Sequence, residues 1–269
     1  MKITAIGVGG ALGEGLNTNF LIDPNDVYKN KCEPAVSEGK LLAFDCGQTF
    51  PEGLRRAGID FRDVGGVFVS HLHADHAGGL EWLGFSSYFK TMFPFGQHRP
   101  RLFGMWEVIH NLWDHTLRGG MESIQNQRNV LETYFHPCPT PPNGSFKWCG
   151  TTFEIVQTIH VVDDRRIVPS AGVRFHTGSN MVFITGDTQY APNQIMSYYK
   201  DADVIFQDCE IATYPGSVHA QLRELAELPE EIKAKMWLVH YDGDLEHEYV
   251  KGLNKGFRGF VKEGQVFDL

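Results

Sequence analysis

The stretch Val67 to Gly79, VFVSHLHADHAGG, constrains this chain more than any other part of it. Val67 to Ser70 read as the end of a buried strand, and they run directly into His71, His73, Asp75 and His76. His71 and His73 share a face by the strand period of two, and Gly78 and Gly79 let the backbone fold back over them. The result is a pocket of imidazole nitrogen and carboxylate oxygen, a donor set that suits zinc, with manganese or iron as alternatives. One such histidine would be read as structural. Four donors crowded after a strand and before glycines point to metal, and to two ions rather than one.

Composition narrows what such a site can act on. A chain of 269 residues with 42% apolar content can bury a full core and is expected to form a single domain, 1–269. The net charge of -9 argues against a surface that grips an extended phosphate backbone, so a small-molecule substrate is expected. The cysteines, Cys32, Cys46, Cys138, Cys149 and Cys209, are odd in number with no C-x-x-C pair, which favours free thiols. No leader pattern and no long apolar run are present, so a soluble, cytoplasmic protein is expected.

Taken in order, Lys2 to Gly9 alternates as a first strand, and Asn19 to Ile22 begins a second. Between them Gly7, Gly9, Gly10, Gly13 and Gly15 suggest a phosphate loop, but no Lys-Ser/Thr follows, and a bend at a sheet edge is the better reading. Lys40 to Gly47 reads as a buried strand ending in Asp45, which either buttresses a ligating imidazole or caps a turn. Pro51 to Ala57 reads as a helix.

Leu80 to Phe95 is rich in rings (Trp82, Phe85, Tyr88, Phe89, Phe93, Phe95), more in keeping with core or subunit interface than with a substrate cage. Arg101 to Gly104 then reads as a strand and Trp106 to Leu117 as a helix. The region at about 80–145 is expected to be an insert that shapes the substrate site or a dimer, with Pro137 to Asn143 as an exposed loop.

Phe146 to Trp148 and Thr152 to Thr158 are expected to pair, the second delivering His160. Ala171 to His176 and Met181 to Thr185 form an expected hairpin that ends in Gly-Asp-Thr, where the two oxygens of Asp187 could bridge two cations. Asp203 to Gln207 and Met236 to Val239 read as buried strands, the latter ending at His240, and Ala220 to Leu228 reads as a helix.

HLHADH resembles the signature of the metallo-β-lactamase superfamily. That resemblance implies an α+β fold of the αββα sandwich type, two packed mixed β-sheets flanked by helices, with a dinuclear metal site at one edge. It also implies the ligand sets: His71, His73, His160 and Asp187 for one ion, Asp75, His76, Asp187 and His240 for the other, with Asn17 supporting from below. The ions would be two divalent metals, zinc foremost. An Asp where some lactamase branches carry Cys points to hydrolases of esters and phosphodiesters.

EIAT at Glu210 to Thr213 and SVHA at Ser217 to Ala220 are similar to elements of the tRNA 3′-processing endonuclease branch, where Glu and His protonate the leaving group. The pair here would be Glu210 and His219, with Asp75 orienting the attacking water or taking its proton. His160 and Asp187 lie only 27 positions apart, which leaves no room for a tRNA-gripping arm.

SVHAQLRELAELPEEIKAKMWLVHYD is most similar to a small phosphodiesterase group that includes the anti-Pycsar proteins. This resemblance implies a homodimer that opens a 3′,5′-cyclic nucleotide to a linear nucleoside monophosphate, degrading cyclic pyrimidine immune signals, in the host cytoplasm if the gene is a phage's. The alternatives are a tRNA 3′-processing-type endoribonuclease, a lactonase or thioesterase of the same fold, and a metal-binding scaffold without turnover.

Overall fold

The computed structural model describes residues 1–24, 40–92, 99–164, 166–214 and 218–269. Two seven-stranded sheets organise them. From edge to edge the first runs Val266–Asp268, Lys2–Gly7, Asn19–Asp23, Leu41–Phe44, Val64–Phe68, Arg101–Met105 and His136–Thr140. The second runs Gly259–Phe260, Met236–Val239, Val204–Asp208, Met181–Ile184, Ser170–His176, Thr151–Thr158 and Ser145–Trp148. Both are mixed. Leu41–Phe44, Val64–Phe68, Arg101–Met105 and His136–Thr140 are mutually parallel, as are Met181–Ile184, Val204–Asp208, Met236–Val239 and Gly259–Phe260.

Strand periodicity explains the layering. In the wholly buried strand Val204–Asp208, Val204 and Phe206 face the core between the sheets, while Ile205 faces the opposite side. Met236 and Leu238 likewise turn from Trp237 and Val239. That outer face is covered by Ile195 and Tyr199 of the helix Pro192–Asp201, by Leu222, Leu225 and Ile232, and by Val250. On the first sheet, helix Phe50–Ala57 packs against Lys2–Gly7, and helix Trp106–Leu112 against Arg101–Met105 and His136–Thr140. The former starts on Pro51, stops at left-handed Gly58, and buries Phe50 and Leu54 while Glu52, Arg55 and Arg56 pair outside.

The sheets meet through aromatic rings. Phe20 and Phe206, from different sheets, lie 5.0 Å apart, and Phe206 meets Phe267 edge-on at 4.8 Å. Phe206→Ala would empty the middle of this contact and is expected to cost about 3–5 kcal/mol. Denaturant unfolding of the metal-free protein reads that loss.

Several sequence expectations change. The proline-rich segment is not a free loop: His136–Thr140 is an edge strand, and only Pro141 to Asn143 turn away from it. Prolines lack the N–H a central strand must donate, but at a sheet edge one side of the ladder goes unpaired, so Pro137 and Pro139 are tolerated. The 80–145 stretch thus contributes two strands to the first sheet. Its rings pack on one another, Phe85 and Tyr88 each against Tyr134; Phe93 and Phe95 lie outside the described residues.

The helix expected over Ala220–Leu228 is a single turn, Leu222–Leu225, because Glu224 folds back to accept from the Gln221 N–H and Pro229 follows closely. Cys46 and Cys209 are free thiols, but Cys149 is disulfide-bonded, which corrects the expectation of free thiols throughout. Cys32 lies outside the described residues. Among the described residues no helix is long and apolar enough to cross a membrane.

Candidate metal centre

The parallel halves of the two sheets aim their C-terminal ends at one place, as open α/β sheets do. Asp45 follows Leu41–Phe44, His71 follows Val64–Phe68, Asp187 follows Met181–Ile184, Asp208 ends Val204–Asp208 and His240 follows Met236–Val239. Asp45 and His240 both sit in the left-handed region, with φ of 63° and 61°. Such backbone costs roughly 1–3 kcal/mol at a non-glycine residue and persists where the surroundings over-determine it. After His71 the chain turns into the short helix Ala74–Ala77, with His73 at its N-cap. Gly47 makes this possible, since a methyl group there would strike the Asp75 carbonyl.

Three imidazoles form the first group. His71 Nε2 and His73 Nδ1 lie 2.9 Å apart, and His160 Nε2 lies 3.2 Å from His73 Nδ1. Asp75, His76, Asp187 and His240 form the second. A single oxygen joins them. Asp187 Oδ2 stands 3.1 Å from His76 Nε2, 3.5 Å from His240 Nε2, 3.6 Å from His160 Nε2 and 3.8 Å from His71 Nε2. Asp75 Oδ2 adds contacts of 3.1 Å to His76 Nε2 and 3.3 Å to His240 Nε2.

The outer nitrogens are held by the protein. Asp45 accepts from the Ser70 N–H and hydroxyl, both at 2.8 Å, and faces His76 Nδ1 at 2.7 Å. The Ser70 hydroxyl also reaches His71 Nδ1 at 3.0 Å, and His160 Nδ1 donates to the Val218 carbonyl at 2.8 Å. Each of these three imidazoles thus has one nitrogen engaged and the other turned inward, the arrangement that fixes tautomers at metal sites.

The donors fit divalent metal ions. His76 Nε2 is fully buried and makes no well-aligned hydrogen bond although Asp75 and Asp187 each bring an oxygen to 3.1 Å, a convergence of donor atoms that suits a shared cation. Burial holds His71, His73 and His160 below the usual histidine range, so they are neutral and ready to ligate. Burial also opposes charge on His76 and His240, but Asp187, with Asp45 for the one and Asp75 for the other, outweighs it and raises both. Asp75 and Asp187 lie below the carboxylate range; desolvation works to raise them, and the surrounding imidazoles prevail.

The seven residues expected to ligate come together, and His219 joins them, its Nδ1 3.9 Å from Asp187 Oδ2. Glu210 does not. Its carboxylate accepts from Gln221 Nε2 at 3.3 Å, and the group facing His219 Nδ1, at 2.8 Å, is Asp208 Oδ2. Asp208 also accepts from the Thr188 N–H of the Gly-Asp-Thr turn at 2.8 Å and turns its other oxygen toward His240 Nδ1, 3.5 Å away. Sequence reading missed it. The available signal was a buried strand ending in Asp-Cys, the pattern already present at Asp45-Cys46. Burial would lower the His219 pKa, yet Asp208 above all lifts it to about 9. Asn17 ties the glycine loop down, donating to the Gly10 carbonyl at 3.1 Å and accepting from the Thr49 hydroxyl at 2.9 Å. Ser217 lies outside the described residues.

Comparison with known proteins finds relatives over nearly the whole chain. A family model described as anti-Pycsar protein Apyc1 matches residues 1–267. Anti-Pycsar protein Apyc1 of Paenibacillus harenae is 33% identical over 253 residues, covering 93% of this chain and 92% of that one. The protein of that name from Bacillus phage BSP38 is 28% identical over 249 residues, covering 90% and 92%. Among solved structures, the metallo-β-lactamase fold protein YhfI from Bacillus subtilis superposes with a TM-score of 0.74 at 20% identity over 99% of both chains. The fold is that of the metallo-β-lactamases.

Proposed function

The chain belongs to the anti-Pycsar protein Apyc1 family, and from that membership and the shared Asp187 oxygen we propose that it is a metal-dependent hydrolase opening 3′,5′-cyclic nucleotides to linear monophosphates. The proposed ligands are His71, His73, His160 and Asp187 for one ion and Asp75, His76, Asp187 and His240 for the other, with zinc favoured by so many imidazoles. When bound there, the two cations supply activated water at neutral pH and take up charge growing on phosphoryl oxygens.

The remaining work falls to the chain's own side chains. Asp75, held ionised, orients the attacking water or accepts its proton. His219, held charged by Asp208, carries the proton for the ribose oxygen released when the ring opens. Glu210 adds negative charge near His219 without touching it, so we assign the direct supporting role to Asp208. The observation that carries the reading is the meeting of both donor groups and the His219 imidazole at a single carboxylate.

The family name favours cyclic pyrimidine immune signals as the substrates; we further propose the cytoplasm as the compartment and a homodimer as the working form, the last tested by light scattering in solution. The decisive experiment presents the purified protein with pyrimidine and purine 3′,5′-cyclic monophosphates, a precursor tRNA and an acyl lactone, with and without chelator. Linear monophosphates should appear from the cyclic substrates, vanish with chelator and return with added zinc. Turnover of the lactone or the precursor tRNA alone would replace this reading with one of those two.

Metal loading should also release protons. Against the effect of burial, the carboxylates around His76 and His240 raise their pKa values in the metal-free protein, so protons compete with metal for these nitrogens. Affinity should therefore rise with pH through neutrality. Titration calorimetry in buffers of different ionisation enthalpy should show net release.

A further inference from the structure

The glycine loop between the first two strands has no part in the chemistry above, yet three of its glycines face one side chain. A methyl group added at Gly10 would stand 2.8 Å from Asp242 Oδ2, one at Gly9 3.0 Å from Asp242 Oδ1, and one at Gly13 would overlap the Asp242 carboxylate outright. The Gly10 N–H donates to both carboxylate oxygens, 3.2 Å to each. Two further bonds hold the loop in register: Tyr241 N–H donates to the Val8 carbonyl at 3.2 Å, and Asn17 Nδ2 to the Gly10 carbonyl.

What this clasp presses on is His240. The same methyl position at Gly10 lies 3.1 Å from His240 Cε1 and 3.4 Å from its Nδ1, so the bare Gly10 backbone is the wall behind the ring. On its other sides the ring meets His219, at a centroid distance of 4.7 Å, and His76, at 5.5 Å. Asp242 is exposed and belongs to neither apolar core, so folding does not require its carboxylate. We propose that Asp242 is a positioning residue: it clasps the Gly9–Gly15 loop against the His240 ring and thereby fixes the second metal's imidazole. This explains why Gly9, Gly10 and Gly13 are glycines, since any side chain at these positions meets the carboxylate or the ring.

The inference rests on His240 being a ligand, so its test measures metal retention directly. Asp242→Ala, Asp242→Asn, Gly13→Ala and the double variant Gly13→Ala/Asp242→Ala are loaded with zinc and titrated with a competing chelator, and kcat and KM are recorded. Supporting groups around a ligand are worth roughly 10–100-fold in metal affinity. Asp242→Ala and Gly13→Ala should each weaken the second zinc equivalent by about tenfold and leave the first in place. Asp242→Asn keeps an oxygen for the Gly10 N–H and should recover most of the loss. The double variant should be no worse than Asp242→Ala, because the methyl group added at Gly13 has room once the carboxylate is gone. Leu12, fully exposed at the loop tip, gives a control: Leu12→Ala should retain zinc as the parent does.

Unchanged retention in Asp242→Ala and Gly13→Ala, additive losses in the double variant, or equal loss in Leu12→Ala would each overturn the clasp. A parent protein that binds no second zinc would instead overturn the ligand assignment.

Discussion

Asp187→Asn is expected to abolish turnover, by at least about a thousandfold, and to leave less than two equivalents of metal bound. The amide has the shape of the carboxylate but not its charge, and the charge is what four imidazoles converge on. Asp187 is 2% exposed, so no solvent compensates for the change. In the metal-free protein the same substitution withdraws the counter-charge that raises the pKa of His76 and His240, and breaking a buried pair of this kind costs about 3–5 kcal/mol. Metal content by atomic absorption, kcat on a cyclic nucleotide and the melting temperature of the metal-free form should therefore all fall. Two equivalents bound with parental turnover would remove Asp187 from its bridging place.

That residue could be read before any coordinates, and the reason is general to this site. His71, Asp187 and His240 each come just after an apolar run and His160 after an alternating one, and a strand that ends in a polar residue announces where its C-terminal edge points. Buried strands followed from those same runs, and the two mixed sheets from the resemblance of HLHADH to the superfamily signature. What escaped were features whose cause lies in a neighbour. Pro137 and Pro139 look like loop because proline breaks ladders, and only the sheet order shows that their strand is at an edge.

Asp208 escaped for a different reason. Its charge follows Gln207 inside a strand with no turn to mark it, and Glu210, two residues on, sits in the segment that resembles the endonuclease element. The end of the strand at Asp208 decides the matter physically, since Glu210 lies beyond the regular ladder. Asp208 carries its carboxylate to His219 and His240, while Glu210, joined by a bridge to Gln221, directs its own to that residue. Asp45 and Asp208 now read as equivalents in the two sheets, each at the C-terminal end of a parallel strand, each followed by a buried cysteine, each behind an imidazole proposed to hold the second ion.

His219→Ala should leave both metals in place and lower kcat on a cyclic nucleotide by about 10²–10⁴-fold, the range a positioned proton donor supplies. KM should change little, because the imidazole is needed when the ribose oxygen departs and not when the substrate binds. The separating measurement is leaving-group dependence. A p-nitrophenyl phosphodiester expels an anion stable enough to leave unprotonated, so the variant should approach parental rates on it while failing on the cyclic substrate. Asp208→Asn should show the same selectivity more weakly, since His219 keeps its ring but loses the carboxylate that charges it, and should also loosen the second metal through His240 Nδ1. An equal loss on both substrates in His219→Ala, or none on either, would mean that the leaving oxygen takes its proton from elsewhere.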